Sequence, residues 1–194
     1  MKNKLKLLFA ILIVFNAGSY SYAQLDIQAG INNSSLAFSI DGFSIETGSV
    51  IGFHAGINYS SKLSNSIYLV PGLLFSQKGA NIELDFGLSS DESKLSSTYI
   101  DIPLMFHYQS NPEKGFFLQG GPNFSLLMSA SSAGEDVKED FKNIDLSLGI
   151  GAGYDLGQFK LGARVNFGLT TISEEEDSGS VSYRVIQLYG AYKL

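Results

Sequence analysis

Residues 144–156, which read IDLSLGIGAGYDL, decide the fold of this chain. The odd positions from Asp145 to Asp155 are all small or polar. The even positions are all apolar: Ile144, Leu146, Leu148, Ile150, Ala152, Tyr154 and Leu156. A period of two residues is that of a β-strand with one apolar face, and it does not fit a helix, whose period is 3.6. The sequence therefore predicts a long β-strand here.

The same alternation recurs along the rest of the chain and predicts eight strands in all. The other stretches are residues 25–31, 53–59, 67–78, 99–108, 116–128, 159–170 and 182–194. Three short connectors (60–66, 109–115 and 155–158) alternate with four longer ones (39–49, 79–97, 131–143 and 173–181). Short periplasmic turns and longer outside loops are typical of outer-membrane barrels. This order predicts that both termini lie on the periplasmic side.

The first residues have the features of an export signal. Lys2, Lys4 and Lys6 precede an apolar run over residues 7–15, and small residues occupy Ser21 and Ala23. Nine apolar residues are too few to cross about 30 Å of hydrocarbon, so a cleaved signal peptide is favoured over an anchor helix. We expect residues 1–23 to be the signal peptide and residues 24–194 to form one barrel domain.

Composition points to the same class of protein. The chain has no Cys, which excludes disulfides, Cys-based metal sites and a lipid anchor on an N-terminal Cys. Charged residues make up 16%, against the usual ~25%, while mean hydropathy is +0.10. No apolar run approaches the ~20 residues of a spanning helix, and closed barrels are the other way to satisfy backbone groups in lipid. We therefore predict an all-β fold, an eight-stranded antiparallel transmembrane up-and-down β-barrel.

Charge separates the loops from the rest of the chain. The four longer connectors carry 14 acidic residues and three Lys, a net charge of −11, whereas the remainder of residues 24–194 is slightly basic. The run Glu174–Asp177 is the most acidic part. It suits a solvated loop tip, or alternatively a site for divalent cations or a basic partner.

The polar face of the strands is predicted to fill a narrow lumen. Eight strands leave an interior just wide enough for side chains, and buried charges require partners. We expect a structural network of inward charged and imidazole groups there. Its members are His54, Lys78, Asp101, His107, Asp145, Lys160 and Arg164.

Several short motifs carry a family resemblance. They are Gly-Phe-His-Ala-Gly at 52–56, Pro-Gly-Leu-Leu-Phe-Ser-Gln-Lys-Gly-Ala at 71–80, Tyr-Ile-Asp-Ile-Pro-Leu at 99–104, Gly-Gly-Pro at 120–122 and Gly-Ile-Gly-Ala-Gly at 149–153. With them the chain resembles the PorT-type outer-membrane β-barrel proteins of Bacteroidetes over residues 24–194. The resemblance implies an eight-stranded outer-membrane barrel, in most relatives without an assigned activity. Asp101 replaces the family's Glu, and Leu194 ends the chain where barrels usually end in Phe.

The function favoured by these features is that of a non-enzymatic barrel with a structural or surface-interaction role. Its partners would be outer-membrane lipid or lipopolysaccharide and an unknown protein at the loops. We expect a monomer with no cofactor, no metal and no nucleic-acid partner, since the exposed regions are acidic. The alternatives are a narrow pore, a barrel enzyme that acts on lipid or peptide, and a soluble periplasmic ligand-binding barrel.

Overall fold

Ten β-strands and one 3-10 turn (Lys138–Asp140) make up most of the chain that the computed structural model describes, residues 24–40, 43–85, 90–111, 114–173 and 180–194. The predicted signal peptide lies outside these residues. Among the described residues, no helix reaches the length and apolarity needed to cross a membrane. The strands are β1 (Gln24–Ile40), β2 (Phe43–Glu46), β3 (Gly48–Lys62), β4 (Ile67–Asp85), β5 (Ser90–Gln109), β6 (Gly115–Ser132), β7 (Glu135–Asp136), β8 (Ile144–Asp155), β9 (Phe159–Gly168) and β10 (Ser180–Lys193).

Eight long strands form a closed antiparallel barrel, as predicted. Around the barrel the order is β1, β3, β4, β5, β6, β8, β9 and β10, and β10 returns to β1 through 14 residue pairs. The short β2 continues β3, because only Thr47 separates them and both pair with β1. β7 adds a short hairpin to the end of β6. The barrel is therefore up-and-down, without a free edge along its eight-stranded wall.

The two ends of the barrel differ. The turn end carries both ends of the described chain, Gln24 and Leu194, and the facing ends of β3 and β4, of β5 and β6, and of β8 and β9. The other strand ends lie at the loop end. There the predicted boundaries were wrong, because the strands run well into the segments expected to be long loops. β4 and β5 pair as far as Asp85↔Ser90, so most of residues 79–97 is a β-ribbon. A ladder needs only backbone groups, so it continues where the side chains no longer alternate.

The apolar side chains form a band on the outside of the barrel. Ile31, Ile150 and Leu188 are each 52% exposed, whereas the inward neighbours Asn32 and Gln187 are at most 1% exposed. An apolar band around a polar interior is the arrangement of a membrane barrel. At the turn end this band is bordered by exposed aromatic residues: Tyr108, Phe116, Tyr154, Phe159 and Tyr192. Tyr59 of β3 is half-buried.

The lumen has two layers. The part nearer the turn end is polar. At the loop end the inward residues form an apolar core that the sequence analysis did not predict. Its members are Leu36, Ala80, Leu95, Tyr99, Leu127, Ala130, Ile172, Val181, Tyr183 and Val185, with Phe38, Val137 and Phe141 packed against them.

Candidate functional site

The candidate site is the polar layer of the lumen. All seven residues predicted to face inward belong to strands β3, β4, β5, β8 and β9. Six of them are buried: His54, Lys78, Asp101, Asp145, Lys160 and Arg164. His107 is half-buried near the turn end. The structure divides them into separate groups and joins them to residues that the sequence analysis did not single out.

Lys78 is the centre of the first group. Its Nζ lies 2.9 Å from Asp101 Oδ1 and donates a second hydrogen bond of 2.9 Å to Ser125 Oγ. The same ammonium lies 4.6 Å from the centre of the Tyr99 ring, a favourable position for a cation–π contact. A carboxylate, a hydroxyl and an aromatic face therefore surround this buried charge.

Asp145 lies in the same layer as this group without a close cation. Asp101, Ser125 and Asp145 occupy paired positions on β5, β6 and β8. Among the described residues, no Lys or Arg lies within 4 Å of the Asp145 carboxylate, which instead accepts a hydrogen bond of 2.9 Å from Thr170 Oγ1. The Asp145 charge is thus stabilised by a hydroxyl rather than by an ion pair.

His54 and Arg164 are linked through two amide side chains. The Nδ1 atom of His54 lies 2.7 Å from Asn32 Oδ1, which also accepts a hydrogen bond from Gln187 Nε2 at 3.0 Å. Gln187 Oε1 in turn accepts hydrogen bonds from Arg164 Nε at 2.9 Å and from Asn166 Nδ2 at 3.0 Å. Asn32 and Gln187 were not predicted as site residues, although both have the inward parity of β1 and β10.

Two further ion pairs lie towards the turn end. Lys160 Nζ is 2.7 Å from Asp26 Oδ2, and Lys193 Nζ is 2.6 Å from Asp155 Oδ2. Of these four residues, only Lys160 was predicted as a site residue. The signal that could have found the others is again parity, since Asp26 and Asp155 alternate with outward apolar residues. The Lys160–Asp26 pair joins β9 to β1 across the seam between β1 and β10, whereas the Lys193–Asp155 pair joins β10 to β8 on one side of it.

His107 does not belong to any of these hydrogen-bonded groups in the described structure. Its ring stacks on that of Phe117, with centroids 5.1 Å apart and planes 8° from parallel. His54 and His107 are therefore not brought together. Among the described residues, no group of three His, Cys, Asp or Glu side chains is placed to hold a metal ion.

Inward glycines make room for large side chains that cross the lumen. A Cβ at Gly162 would lie 2.4 Å from Cζ of Tyr189, and one at Gly153 would lie 2.3 Å from Cζ of Phe117. Such distances are far below van der Waals contact. The inward-facing glycines of β8 and β9, which alternate with outward apolar residues, therefore have a packing role.

The comparisons with known proteins agree with this architecture. The sequence model of the family described as "Outer membrane protein beta-barrel domain" matches residues 15–174, more than half of the chain. The chain belongs to this family. A comparison with curated proteins gave no match.

The solved structures to which this outer-membrane barrel is similar include two bacterial proteins. Neisserial surface protein A (NspA) shares 18% identity, with a TM-score of 0.52, over 90% of this chain and 100% of that chain. The attachment invasion locus protein Ail of Yersinia pestis, solved in complex with the heparin analogue sucrose octasulfate, shares 16% identity, with a TM-score of 0.50, over 90% of this chain and 100% of Ail. At these identities the likeness shows the fold alone.

Proposed function

We propose that this barrel is non-enzymatic and has a structural or surface-interaction role, exerted through its acidic loops outside the cell. In this proposal the turn end faces the periplasm and the loop end faces the exterior. The filled lumen is the observation that supports this proposal most directly. Because the lumen is filled, a partner can bind only at the outer surfaces of the molecule. The motifs quoted above further support a PorT-type barrel from a member of the Bacteroidetes.

The filled lumen argues against a pore. Ions that entered from the loop end would have to cross the apolar core, where Leu36, Leu127 and Ile172 are at most 5% exposed. Beyond it they would meet the buried charged groups of the polar layer. The internal cavity in that layer has a volume of about 10 Å³, roughly the space of one water molecule. We expect conductance at background level.

The positions of the histidines argue against a hydrolase. A barrel that cleaves lipid or peptide would need a nucleophile and a base within hydrogen-bond reach of each other and open to substrate. His54 is 1% exposed and is bound to an amide of the lumen, whereas His107 stacks on Phe117. Neither His has a described hydroxyl partner near an open rim.

The charge of the loop end indicates the kind of partner. The loops repel nucleic acid, but they could hold divalent cations that bridge their carboxylates to lipopolysaccharide phosphates. The most acidic run, Glu174–Asp177, lies outside the described residues. Closure of the sheet and the continuous apolar band are consistent with a monomer. A protein partner at the loops remains part of the proposal.

The first experiment tests the absence of a pore. Purified protein is reconstituted in planar bilayers, and current is recorded before and after addition of the folded barrel, with an open porin as positive control. We expect no stable conductance steps. Steps of reproducible size that depend on the folded barrel would contradict the proposal and favour a narrow channel.

The second experiment tests the role of the loops. Lipopolysaccharide that stays bound to the purified barrel is measured in Mg²⁺ and in a chelator, for the wild type and for a variant with Glu174–Asp177 changed to Gln and Asn. We expect retention that depends on Mg²⁺ and falls in the loop variant. Lys62→Gln, an exposed change at the turn end, is the control and should have no effect. Equal retention by all three proteins would contradict a role for the acidic loops.

A further inference from the structure

The internal cavity of the polar layer lies beside the one buried lumen arginine of the described chain. Arg164 is 5% exposed, and its only described hydrogen bond is made by Nε to Gln187. No carboxylate of the described residues lies within 4 Å of its guanidinium. The guanidinium carbon also lies 5.8 Å from the centre of the Tyr189 ring, but a ring face does not satisfy the N–H donors of a buried guanidinium, so these donors need a further partner.

Three other groups that line the cavity also have unused hydrogen-bonding capacity. Asp26 Oδ1 and Gln119 Oε1 are buried acceptors without a partner that meets hydrogen-bond geometry. Gln28 Nε2 is a buried donor that also lacks such a partner. All of these side chains, together with Arg164, line the same cavity. Buried polar groups are rarely left unpaired in folded proteins. These four side chains thus offer the cavity two acceptors and two donors.

We propose that one water molecule occupies this cavity and bridges the Arg164 guanidinium to Asp26 Oδ1. The water donates to Asp26 and Gln119, and it accepts from Arg164 and Gln28. A water molecule makes two to four such bonds in protein interiors, and a volume of about 10 Å³ holds about one. The guanidinium of Arg164 thereby contacts a carboxylate through the water molecule. The other oxygen of Asp26 stays bound to Lys160 at 2.7 Å.

A halide ion is the competing occupant, because both Arg164 and Lys160 line the cavity. The Asp26 oxygen without a hydrogen-bond partner argues against a halide ion. An anion would meet that carboxylate and the Gln119 carbonyl oxygen without a proton to offer either of them. Water satisfies acceptors and donors together, so the mixed lining favours water.

The test begins with a crystal structure of the full barrel at a resolution that shows ordered water. We expect a single density peak within hydrogen-bond distance of the Arg164 and Asp26 side chains. Crystals grown in bromide should show no anomalous signal at this peak. An empty cavity, or a bromide signal in it, would overturn the proposal.

A cavity-filling variant gives a second readout. Val70 is 4% exposed and lines the cavity, so Val70→Ile adds one methylene group that displaces the water. We expect the folding equilibrium constant in urea titrations to fall about tenfold or more, because four polar groups lose their partner. Val70→Ala, which leaves the water in place, is the control and should keep the density peak. If Val70→Ile makes the barrel more stable, the cavity is dry and the proposal fails. The crystal structure of the variant shows whether its backbone has shifted, which separates a steric clash from loss of water.

Discussion

Removal of Lys78 or of Asp101 alone should strongly destabilise the barrel, whereas removal of both should not. Their side chains are 4% and 3% exposed, and the Nζ–Oδ1 distance is 2.9 Å. Loss of one partner from such a buried pair typically costs about 3–5 kcal/mol, since the other charge is left unpaired in a dry interior. Lys78→Met additionally removes the hydrogen bond to Ser125. We expect a loss in this range for Lys78→Met and for Asp101→Leu.

The double variant separates the charge effect from packing. Replacement of a buried ion pair by apolar groups of similar size is often neutral or stabilising. The combination of Lys78→Met with Asp101→Leu should therefore recover most of the stability that either change removes. In a double-mutant cycle, the two losses should be far from additive.

The assay is a urea titration in lipid vesicles, read by the difference in gel mobility between folded and unfolded barrel, because the chain has no Trp for fluorescence. Lys94→Met, at an exposed position of β5, is the control and should change stability by less than about 1 kcal/mol. Single variants that match this control, or a double variant that loses the sum of both, would refute the reasoning.

Three further changes test the packing, the lipid-facing band and the apolar core by the same titration. Gly162→Ala places a methyl group 2.4 Å from Cζ of Tyr189 and should cost about 1–3 kcal/mol; recovery in combination with Tyr189→Leu would identify the clash, and an unaffected single variant would disprove it. Ile150→Arg, at a position 52% exposed in the middle of β8, should cost about 2–4 kcal/mol in lipid. Leu156→Arg, just beyond the end of that strand, should cost no more than about 1 kcal/mol; equal costs would argue against the assigned band. Leu127→Ala should cost about 2–5 kcal/mol because Leu127 is 5% exposed in the apolar core; a negligible loss would mean that the core does not contribute to stability.

The barrel and the direction of its side chains could be predicted from the sequence because both follow from a period of two. Once residues 144–156 are a strand, Asp145 and Ile150 must lie on opposite faces. The partners across the lumen could not be predicted in this way. Lys160 meets Asp26 at a separation of 134 residues, and Gln187 meets Asn32 at 155. These contacts depend on the stagger of the closed barrel, which alternation along one strand does not fix.

The apolar core was missed for a related reason. Several of its members lie outside the predicted strands: Leu36 follows Ser34 and Ser35, and Leu95 stands between Lys94 and Ser96. In addition, the pairing of β5 with β6 shifts between Thr98↔Ser129 and Tyr99↔Leu127, so the parity of β6 changes and Ala130 becomes buried. An irregularity of this kind cannot be read from a strict two-residue pattern.

The seam between β1 and β10 has a consequence for the order in which the barrel forms. Its 14 pairs, from Asp26↔Lys193 to Ser39↔Ser180, join residues at opposite ends of the described chain. Before they meet, an inserted sheet would expose two rows of unpaired amide and carbonyl groups to hydrocarbon, each group at a cost of several kcal/mol. A partly inserted barrel is therefore not a stable state of this chain. Entry into the bilayer and zipping of the last strand onto the first have to proceed as one cooperative event.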